Sequence, residues 1–212
     1  MTEAELLQQR ASLLQQLAET QAEIRRLGVP MVGLPPSLDE NHVAGCRVFP
    51  SRYAILDVLP TGGRIAELGV SRGDFSKHLL SRLSPAELHL FDLSFKNLDR
   101  KFYDPLVTAG TVTLHAGDSS SLLTKMPAEY FDLIYIDGDH TVEGVARDIQ
   151  VAKSRLKPDG LLGFNDYTLW SAREMIPYGV MQGVNRLCVK QGWKIIFLAL
   201  SKDGAHDVFL RA

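Results

Sequence analysis

Hydrophobic residues follow two different spacings from position 52 to the end of the chain. Short apolar runs, which predict buried strands, occur near 64–68, 87–92, 111–116, 131–137 and 160–165. Between them, apolar residues recur every three or four positions, which predicts amphipathic helices. The stripe is clearest over 141–156, through Val142, Val145, Ala146, Ile149, Ala152 and Leu156. Repeated strand and helix units predict an α/β fold with a doubly wound, mostly parallel sheet, whose ligands bind beyond the carboxyl ends of the strands.

The C-terminal part of the chain has a different pattern. After a helix expected near 179–191, residues 193–200 and 206–210 are two apolar runs separated by a Ser-Lys-Asp-Gly turn. Two such runs joined by a short turn predict a β-hairpin. The expected sheet therefore has seven strands and finishes with an antiparallel hairpin.

The first 50 residues differ from the rest of the chain. Residues 2–27 contain no glycine or proline and predict one long helix. Heptad spacing places Leu6, Leu13, Thr20 and Leu27 at one position and Glu3, Arg10, Leu17 and Ile24 at another. This helix either forms a homodimer contact or packs on its own domain, and the sequence leaves both open. Residues 28–50, with four prolines, are expected to be an irregular cover or lid. We therefore expect a division into 1–50 and a ligand-binding domain at 51–212.

Composition narrows the class of protein. The 212 residues are 45% hydrophobic and have a formal net charge of −2, as in an ordinary soluble globule. No basic excess is present for binding nucleic acid, and no apolar run is long enough to span a membrane or act as a secretion signal. The two cysteines, Cys46 and Cys188, form no metal or redox motif. We expect a cytoplasmic protein without nucleic-acid or membrane partners.

The first strand of the repeated units is followed by a glycine turn and then a helix. The turn has the spacing ExGxxxG, from Glu67 through Gly69 to Gly73. It lacks the middle glycine of the GxGxxG dinucleotide fingerprint. An acidic residue at the strand end instead suits a ligand with a cationic ammonium group, such as S-adenosylmethionine.

Two further acidic residues end strands. Asp92 follows the glycine turn by about twenty residues, where a carboxylate can accept hydrogen bonds from ribose hydroxyls. Asp118, or the amide of Ser119, is placed to meet an adenine edge. Both aspartates have a structural alternative, because Asp is also a common helix cap.

A third cluster ends the fourth and fifth predicted strands. The fourth strand ends in Asp137 and reaches His140, and the fifth ends in Asn165 and Asp166. If these strands are neighbours, two carboxylates and an amide oxygen converge, which suits Mg²⁺ better than zinc. The structural alternative is that Asp-Gly and Asn-Asp pairs simply form turns. An imidazole near this cluster is a candidate general base at neutral pH.

The motifs together resemble a known family. ELGVSRG, LFD, AGDS, IDGDHTVEGVARDI and LKPDGLLGFNDY occur in the order found in class I S-adenosylmethionine-dependent methyltransferases. The IDGDH block and the later Asn-Asp pair resemble the metal-dependent O-methyltransferase branch of macrocin and cephalosporin biosynthesis, with catechol enzymes more distant. The resemblance covers roughly residues 50–212 and implies a Rossmann-like methyltransferase fold.

The resemblance also implies roles for single residues. Glu67, Gly69 and Gly73 would bind the methionine part of S-adenosylmethionine, Asp92 its ribose, and Asp118 with Ser119 its adenine. A divalent metal, Mg²⁺ or another, would bind Asp137, Asn165 and Asp166, and His140 would be the base. The branch often has two acids where this chain has Asn165 and Asp166, and an aromatic residue where it has Val142.

The expected activity is methyl transfer from S-adenosylmethionine to a hydroxyl of a small molecule, assisted by a metal and by His140. Two alternatives stay open. One is a metal-independent N- or O-methyltransferase of the same fold. The other is a non-catalytic assembly protein that keeps the nucleotide fold as a scaffold and uses its N-terminal helix for partner contact.

Overall fold

A computed structural model describes residues 1–28 and 33–212 of the chain. It contains two compact units, Met1–Leu34 and Pro35–Ala212. The sequence placed the division later, after residue 50. Part of the predicted cover segment, residues 29–32, lies outside the described residues.

The first unit is built on one helix, α1, from Glu3 to Arg26. Thr2 and Glu5 form a reciprocal capping box at its start, and Arg25 and Arg26 lie in the last turn, where cations favour the helix dipole. The prediction of one long N-terminal helix is confirmed. None of its residues is buried.

The second unit contains the remaining elements. Its helices are α2 (Glu40–Val43), α3 (Arg52–Leu56), α4 (Asp74–Leu83), α5 (Arg100–Thr108), α6 (Ser119–Leu123), α7 (Val142–Arg155) and α8 (Val180–Gln191). Its strands are β1 (Arg47–Phe49), β2 (Arg64–Leu68), β3 (Glu87–Asp92), β4 (Val112–Ala116), β5 (Phe131–Ile136), β6 (Leu156–Tyr167), β7 (Trp170–Ser171), β8 (Ile176–Pro177), β9 (Lys194–Ala199) and β10 (His206–Arg211).

The main sheet has eight strands in the order β1-β9-β10-β6-β5-β2-β3-β4. Strands β2 to β6 pair with one another in parallel, and β10 lies antiparallel between β6 and β9. The predicted Rossmann-like fold with an antiparallel hairpin is thus confirmed. In the part of the chain that the structure describes, β7 and β8 form a separate two-stranded ribbon.

The prediction of seven strands was wrong by one. Strand β1 pairs with β9 in parallel and adds an eighth strand within a segment expected to be irregular. It has only three residues, too few to show an alternating pattern, and it follows a proline-rich stretch. Its pairing is therefore decided by the neighbouring strand rather than by its own sequence.

Chain order places a ligand edge at the middle of the sheet. The chain runs from β2 outward to β3 and β4, then returns to the other side of β2 to form β5 and β6. Such a reversal opens a crevice at the carboxyl ends of the strands. Apolar clusters cover both faces of the sheet, with α7 and α8 packing on one side and α4 on the other. The crevice lies at the carboxyl ends of the strands, where the helices on the two faces do not cover the sheet.

Among the described residues, no helix combines the length and the apolar composition needed to cross a bilayer.

Candidate functional site

A cleft of about 760 Å³ lies at the carboxyl ends of the central strands. Nine of the ten predicted site residues line it: Glu67, Gly69, Asp92, Asp118, Ser119, Asp137, His140, Asn165 and Asp166. The tenth, Gly73, instead precedes α4, and its carbonyl oxygen accepts a 2.6 Å hydrogen bond from the hydroxyl of Tyr103. The structure therefore brings the acidic strand ends into one crevice. Their roles there stay predictions.

Gly69 allows the two central strands to approach each other at the cleft. It has a φ of +86°, and a Cβ added to it would lie 2.0 Å from the carbonyl oxygen of Asp137. Its amide donates to the carbonyl of Phe91, while the amide of Asp137 donates to Leu68. The glycine is thus required by the junction of β2 with β5, a reason that the loop motif alone does not reveal.

Glu67 is the most deeply buried acid of the cleft, with 1% of its surface exposed. It accepts a 2.5 Å hydrogen bond from the hydroxyl of Ser76 on α4. Burial raises the pKa of Glu67 to about 8. A carboxyl in this state is protonated at neutral pH until a cationic group arrives to stabilise its charged form.

Asp92 holds the glycine loop in place. One carboxylate oxygen accepts hydrogen bonds from the amides of Val70 and Ser71, both at 2.8 Å, and the other accepts from Ser94 at 3.0 Å. Two carboxylate oxygens offer about four acceptor positions, so one more donor can still bind. The geometry therefore leaves Asp92 able to accept a ribose hydroxyl while it braces the loop.

Asp118 has the structural role that the sequence offered as its alternative. It caps the short helix α6, accepting from the amide of Ser121 at 2.8 Å, and hydrogen bonding by the Ser121 side chain and amide lowers the pKa of Asp118. Ser119 begins the helix and also lines the cleft. Contact with adenine at this end of the cleft is compatible with the cap and stays a prediction.

His140 lines the cleft, and its Nε2 is buried. Its ring stacks on Tyr178, with centroids 4.4 Å apart. Nε2 lies 3.4 Å from a carboxylate oxygen of Asp166 and 3.7 Å from one of Asp137, beyond good hydrogen-bond range. Among the described residues it is the only buried side-chain nitrogen or oxygen atom without a hydrogen-bond partner. Burial lowers the pKa of His140, which favours the neutral ring that a general base requires.

Arg52 is a cleft residue that the sequence analysis missed. It is the first residue of α3, and its guanidinium donates to the hydroxyl of Tyr135 and to Oδ1 of Asn165, both at 3.0 Å. It also lies 3.8 Å from carboxylates of Asp137 and Asp207. Its position before the repeated units, outside every motif, left no sequence signal.

The predicted metal ligands do not fit a metal ion. Asn165 uses both ends of its amide within the protein: Nδ2 donates to Asp137 at 2.9 Å, and Oδ1 accepts from Arg52. The positive charge among these groups is the guanidinium. Among the described residues, no group of three or more His, Cys, Asp or Glu side chains is arranged to hold a metal. The magnesium site predicted at Asp137, Asn165 and Asp166 is therefore not supported.

A second cavity of about 490 Å³ adjoins the cleft. Four residues line both: Arg52, Asn165, Asp166 and Arg173. The rest of its wall comes from Ser51 and Tyr53 beside Arg52, from the β7 region, including Trp170, and from the hairpin loop between β9 and β10 with Asp207. Two neighbouring spaces with shared wall residues, one at the glycine loop and one beside it, suit two ligands that meet at that wall.

Comparison with known proteins agrees with this architecture. Residues 66–167, a little under half of the chain, match the family model of a methyltransferase domain. The matched segment includes all ten predicted site residues, from Glu67 to Asp166. No curated protein matches the sequence.

Several solved structures share the fold at low sequence identity. An S-adenosylmethionine-dependent methyltransferase from Mesorhizobium loti is 20% identical, with a TM-score of 0.53 over 75% of this chain and 96% of that one. A precorrin-6y C5,15-methyltransferase from Geobacter metallireducens is 14% identical, with a TM-score of 0.56 over 76% and 85%. The pyocyanin biosynthetic protein PhzM is 17% identical, with a TM-score of 0.55 over 77% of this chain and only 55% of its own length. The domain match and the fold together support S-adenosylmethionine-dependent methyl transfer.

Proposed function

We propose that this methyltransferase-fold protein transfers the methyl group of S-adenosylmethionine to a hydroxyl group of a small molecule, with His140 as the general base. The observation that carries the proposal is the buried, unpartnered Nε2 of His140 in the cleft that also contains Glu67 and Asp92. A neutral imidazole nitrogen without a partner is ready to accept a proton. The branch of macrocin-type enzymes is part of this proposal through the IDGDH block and the Asn-Asp pair, without the metal dependence of that branch.

The cleft residues suit the parts of the cofactor. Glu67 would pair with the ammonium group of the methionine part, since charge on that buried carboxyl needs a cation nearby. Asp92 would accept a ribose hydroxyl with its remaining acceptor position. Asp118 and Ser119 would contact the adenine at the start of α6.

The chemistry requires a proton acceptor beside the reacting oxygen. S-adenosylmethionine, when bound, supplies an electrophilic methyl group on a positively charged sulfur. The acceptor oxygen would bond to this carbon as the carbon–sulfur bond broke with its electron pair on sulfur, and Nε2 of His140 would accept the hydroxyl proton. The imidazolium that results would be stabilised by Asp166 and Asp137, which lie 3.4 and 3.7 Å from Nε2.

The adjoining cavity is the proposed acceptor site. At about 490 Å³ it has room for a small molecule, and it joins the cleft at Asp166, next to His140. Its wall is mixed, with Trp170 beside Arg173 and Lys202. We therefore propose a small hydroxylated acceptor with both polar and apolar parts.

The test is a two-step assay on the full chain. Calorimetry with S-adenosylmethionine measures cofactor binding, which a non-catalytic assembly protein would lack. Methyl-labelled cofactor is then supplied with panels of sugars, phenols, other alcohols and matched amines. Label transferred to hydroxyl compounds supports the proposal, whereas transfer to amines alone would favour the N-methyltransferase alternative.

The organisation of the chain belongs to the same proposal. We treat residues 51–212 as the part that contains the cofactor and acceptor sites. We assign α1 to a homodimer contact, because its heptad positions contain leucines such as Leu6, Leu13 and Leu17 that are not buried.

A further inference from the structure

We propose that Arg52 takes the part that a divalent cation would have at this site: it neutralises the strand-end carboxylates and donates hydrogen bonds to the acceptor oxygen during methyl transfer. The inference deepens the proposed function and rests on it. It makes the reaction independent of metal and adds Arg52 to the catalytic residues.

The surroundings of Arg52 fix its guanidinium at the cleft. The guanidinium carbon, Cζ, lies 4.4 Å from the centre of the Phe75 ring, which is a cation–π distance. Nη1 is held by the hydroxyl of Tyr135 and by Asn165, both at 3.0 Å. The side chain is 23% exposed, and that exposed part faces both cavities, because Arg52 lines each of them. A planar group held in this way is preorganised and needs little rearrangement when a ligand arrives.

The hydrogen-bond count leaves donors for a ligand. A guanidinium has five N–H groups, and the hydrogen bonds that Arg52 makes within the described residues all leave from Nη1. The two N–H groups of Nη1 match its two acceptors, Tyr135 and Asn165. The N–H groups of Nε and Nη2 therefore stay available to an oxygen that gains negative charge where the cavities meet.

One carboxylate connects the cation to the base. Nη1 of Arg52 lies 3.8 Å from Oδ2 of Asp137, and Nε2 of His140 lies 3.7 Å from Oδ1 of the same carboxylate. The proton acceptor and the positive charge thus lie on either side of one side chain. An acceptor hydroxyl placed beside Asp137 can lose its proton to His140 while its oxygen is stabilised by Arg52.

The same contacts disfavour a metal ion. The amide oxygen of Asn165, the ligand expected for magnesium, already accepts from Arg52. Its amide nitrogen faces Asp137 and cannot ligate a cation. A divalent ion between these groups would also lie next to a permanent positive charge, and like charges repel.

The first test compares Arg52→Gln and Arg52→Lys with Arg100→Gln, which removes an exposed ion pair to Asp104 away from both cavities. Losing one preorganised donor to a developing oxyanion costs about 100-fold in turnover. We expect that loss in Arg52→Gln, a partial loss in Arg52→Lys, and none in Arg100→Gln. The dissociation constant for S-adenosylmethionine should stay within about threefold, and added guanidinium salt should restore part of the activity of Arg52→Gln. Full activity of folded Arg52→Gln would overturn the inference.

The second test uses only wild-type protein and Asp137→Asn, so it does not depend on the folding of an Arg52 variant or on a known acceptor. Binding of Mn²⁺ is followed by electron paramagnetic resonance in the absence and presence of S-adenosylmethionine. We expect wild type to have no Mn²⁺ site that depends on Asp137, so its Mn²⁺ binding should equal that of Asp137→Asn. Where activity is measurable, chelation should not reduce it. One Mn²⁺ bound by wild type and lost in Asp137→Asn would overturn the inference. If the protein binds no S-adenosylmethionine at all, the proposed function fails, and the Mn²⁺ result still decides which cation occupies the site.

Discussion

Glu67 and His140 lie in one cleft, and burial moves their pKa values in opposite directions. The pKa of Glu67 rises to about 8, while that of His140 falls below its ordinary value. Burial disfavours the charged form in both cases, so both side chains are neutral at pH 7 in the free protein. Glu67, at the proposed cofactor end, can therefore pair with a cation once it loses its proton. His140, at the proposed acceptor end, can accept a proton.

Replacing His140 with Ala should lower turnover by about 10²- to 10⁴-fold, the usual contribution of a positioned general base. The dissociation constant for S-adenosylmethionine should hardly change, since Glu67 and Asp92 are untouched. Steady-state kinetics and calorimetry measure the two quantities. The matched control is His78→Ala, because the described residues lining the two cavities do not include His78. Undiminished turnover in His140→Ala would refute the assignment of the base.

The affinity for S-adenosylmethionine should increase as the pH rises from about 6 to about 7.5, where Glu67 begins to ionise and an α-ammonium group is still mostly protonated. Below its pKa of about 8, Glu67 must lose a proton before it can pair with an ammonium group. Binding at pH 7 should therefore release a proton, which calorimetry in buffers of different ionisation enthalpy detects. Glu67→Gln should bind more weakly at pH 7.5 and should lose this proton release. An equal proton release in wild type and Glu67→Gln would show that another group titrates.

At the scale of elements, the cleft depends on how β2 and β5 end. Gly69→Ala should destabilise the protein by at least about 2 kcal/mol more than Gly62→Ala, as measured by chemical unfolding. Both glycines have positive φ, but an added Cβ at Gly62 meets nothing within 4 Å, whereas at Gly69 it meets the backbone of Asp137 at 2.0 Å. Gly69→Ala should also abolish cofactor binding, because the strand ends must separate. Equal losses of unfolding free energy in Gly69→Ala and Gly62→Ala would mean that the junction of β2 with β5 relaxes easily.

The N-terminal helix gives a separate prediction. If α1 forms the homodimer contact, the double substitution Leu13→Glu and Leu17→Glu should convert a dimer to a monomer, because it places charge in the heptad seam. Multi-angle light scattering measures the mass directly. The control is Gln9→Glu, which adds charge on the same helix outside the two heptad positions of the seam. A monomeric wild-type protein would remove the basis for the dimer.

Elements with a strong internal pattern were predictable from the sequence. Helix α7 has a continuous apolar stripe, and β2 to β5 are short apolar runs, so their bounds agree with the prediction within one residue. Strand β1 has no such pattern, and it is a strand because β9 pairs with it. Arg52 was missed for a similar reason, since its contacts to Tyr135 and Asn165 cross 83 and 113 residues of sequence. Long-range pairing of this kind leaves no local signal.

At the scale of the whole molecule, the buried acids make stability depend on pH. Burial raises the pKa of Glu67 to about 8 and that of Asp137 to about 7, so the folded protein binds more protons than the unfolded chain above pH 5. Stability from these groups is complete below their unfolded values near 4 and is lost as the pH rises through the folded values. Burial lowers the pKa of His115 to about 4, so this group makes the folded protein more stable as the pH rises. That gain in stability is nearly complete above the unfolded pKa of about 6.5. From pH 6.5 to 8.5 the buried acids therefore dominate the change in stability.

In that window the cofactor-free protein should become less stable, with Glu67 alone contributing a loss on the order of 2 kcal/mol for a folded pKa of about 8. Glu67→Gln cannot lose a proton, so its unfolding free energy should fall less over the same range. Saturating S-adenosylmethionine should also flatten the wild-type curve, because a bound ammonium group stabilises the charged carboxylate that the free protein disfavours. Denaturant unfolding at pH 6.5, 7.5 and 8.5, with and without the cofactor, measures all three. A cofactor-free protein that is equally stable at pH 6.5 and 8.5 would mean that Glu67 is already ionised, and the strand-end carboxylate would then need no incoming cation.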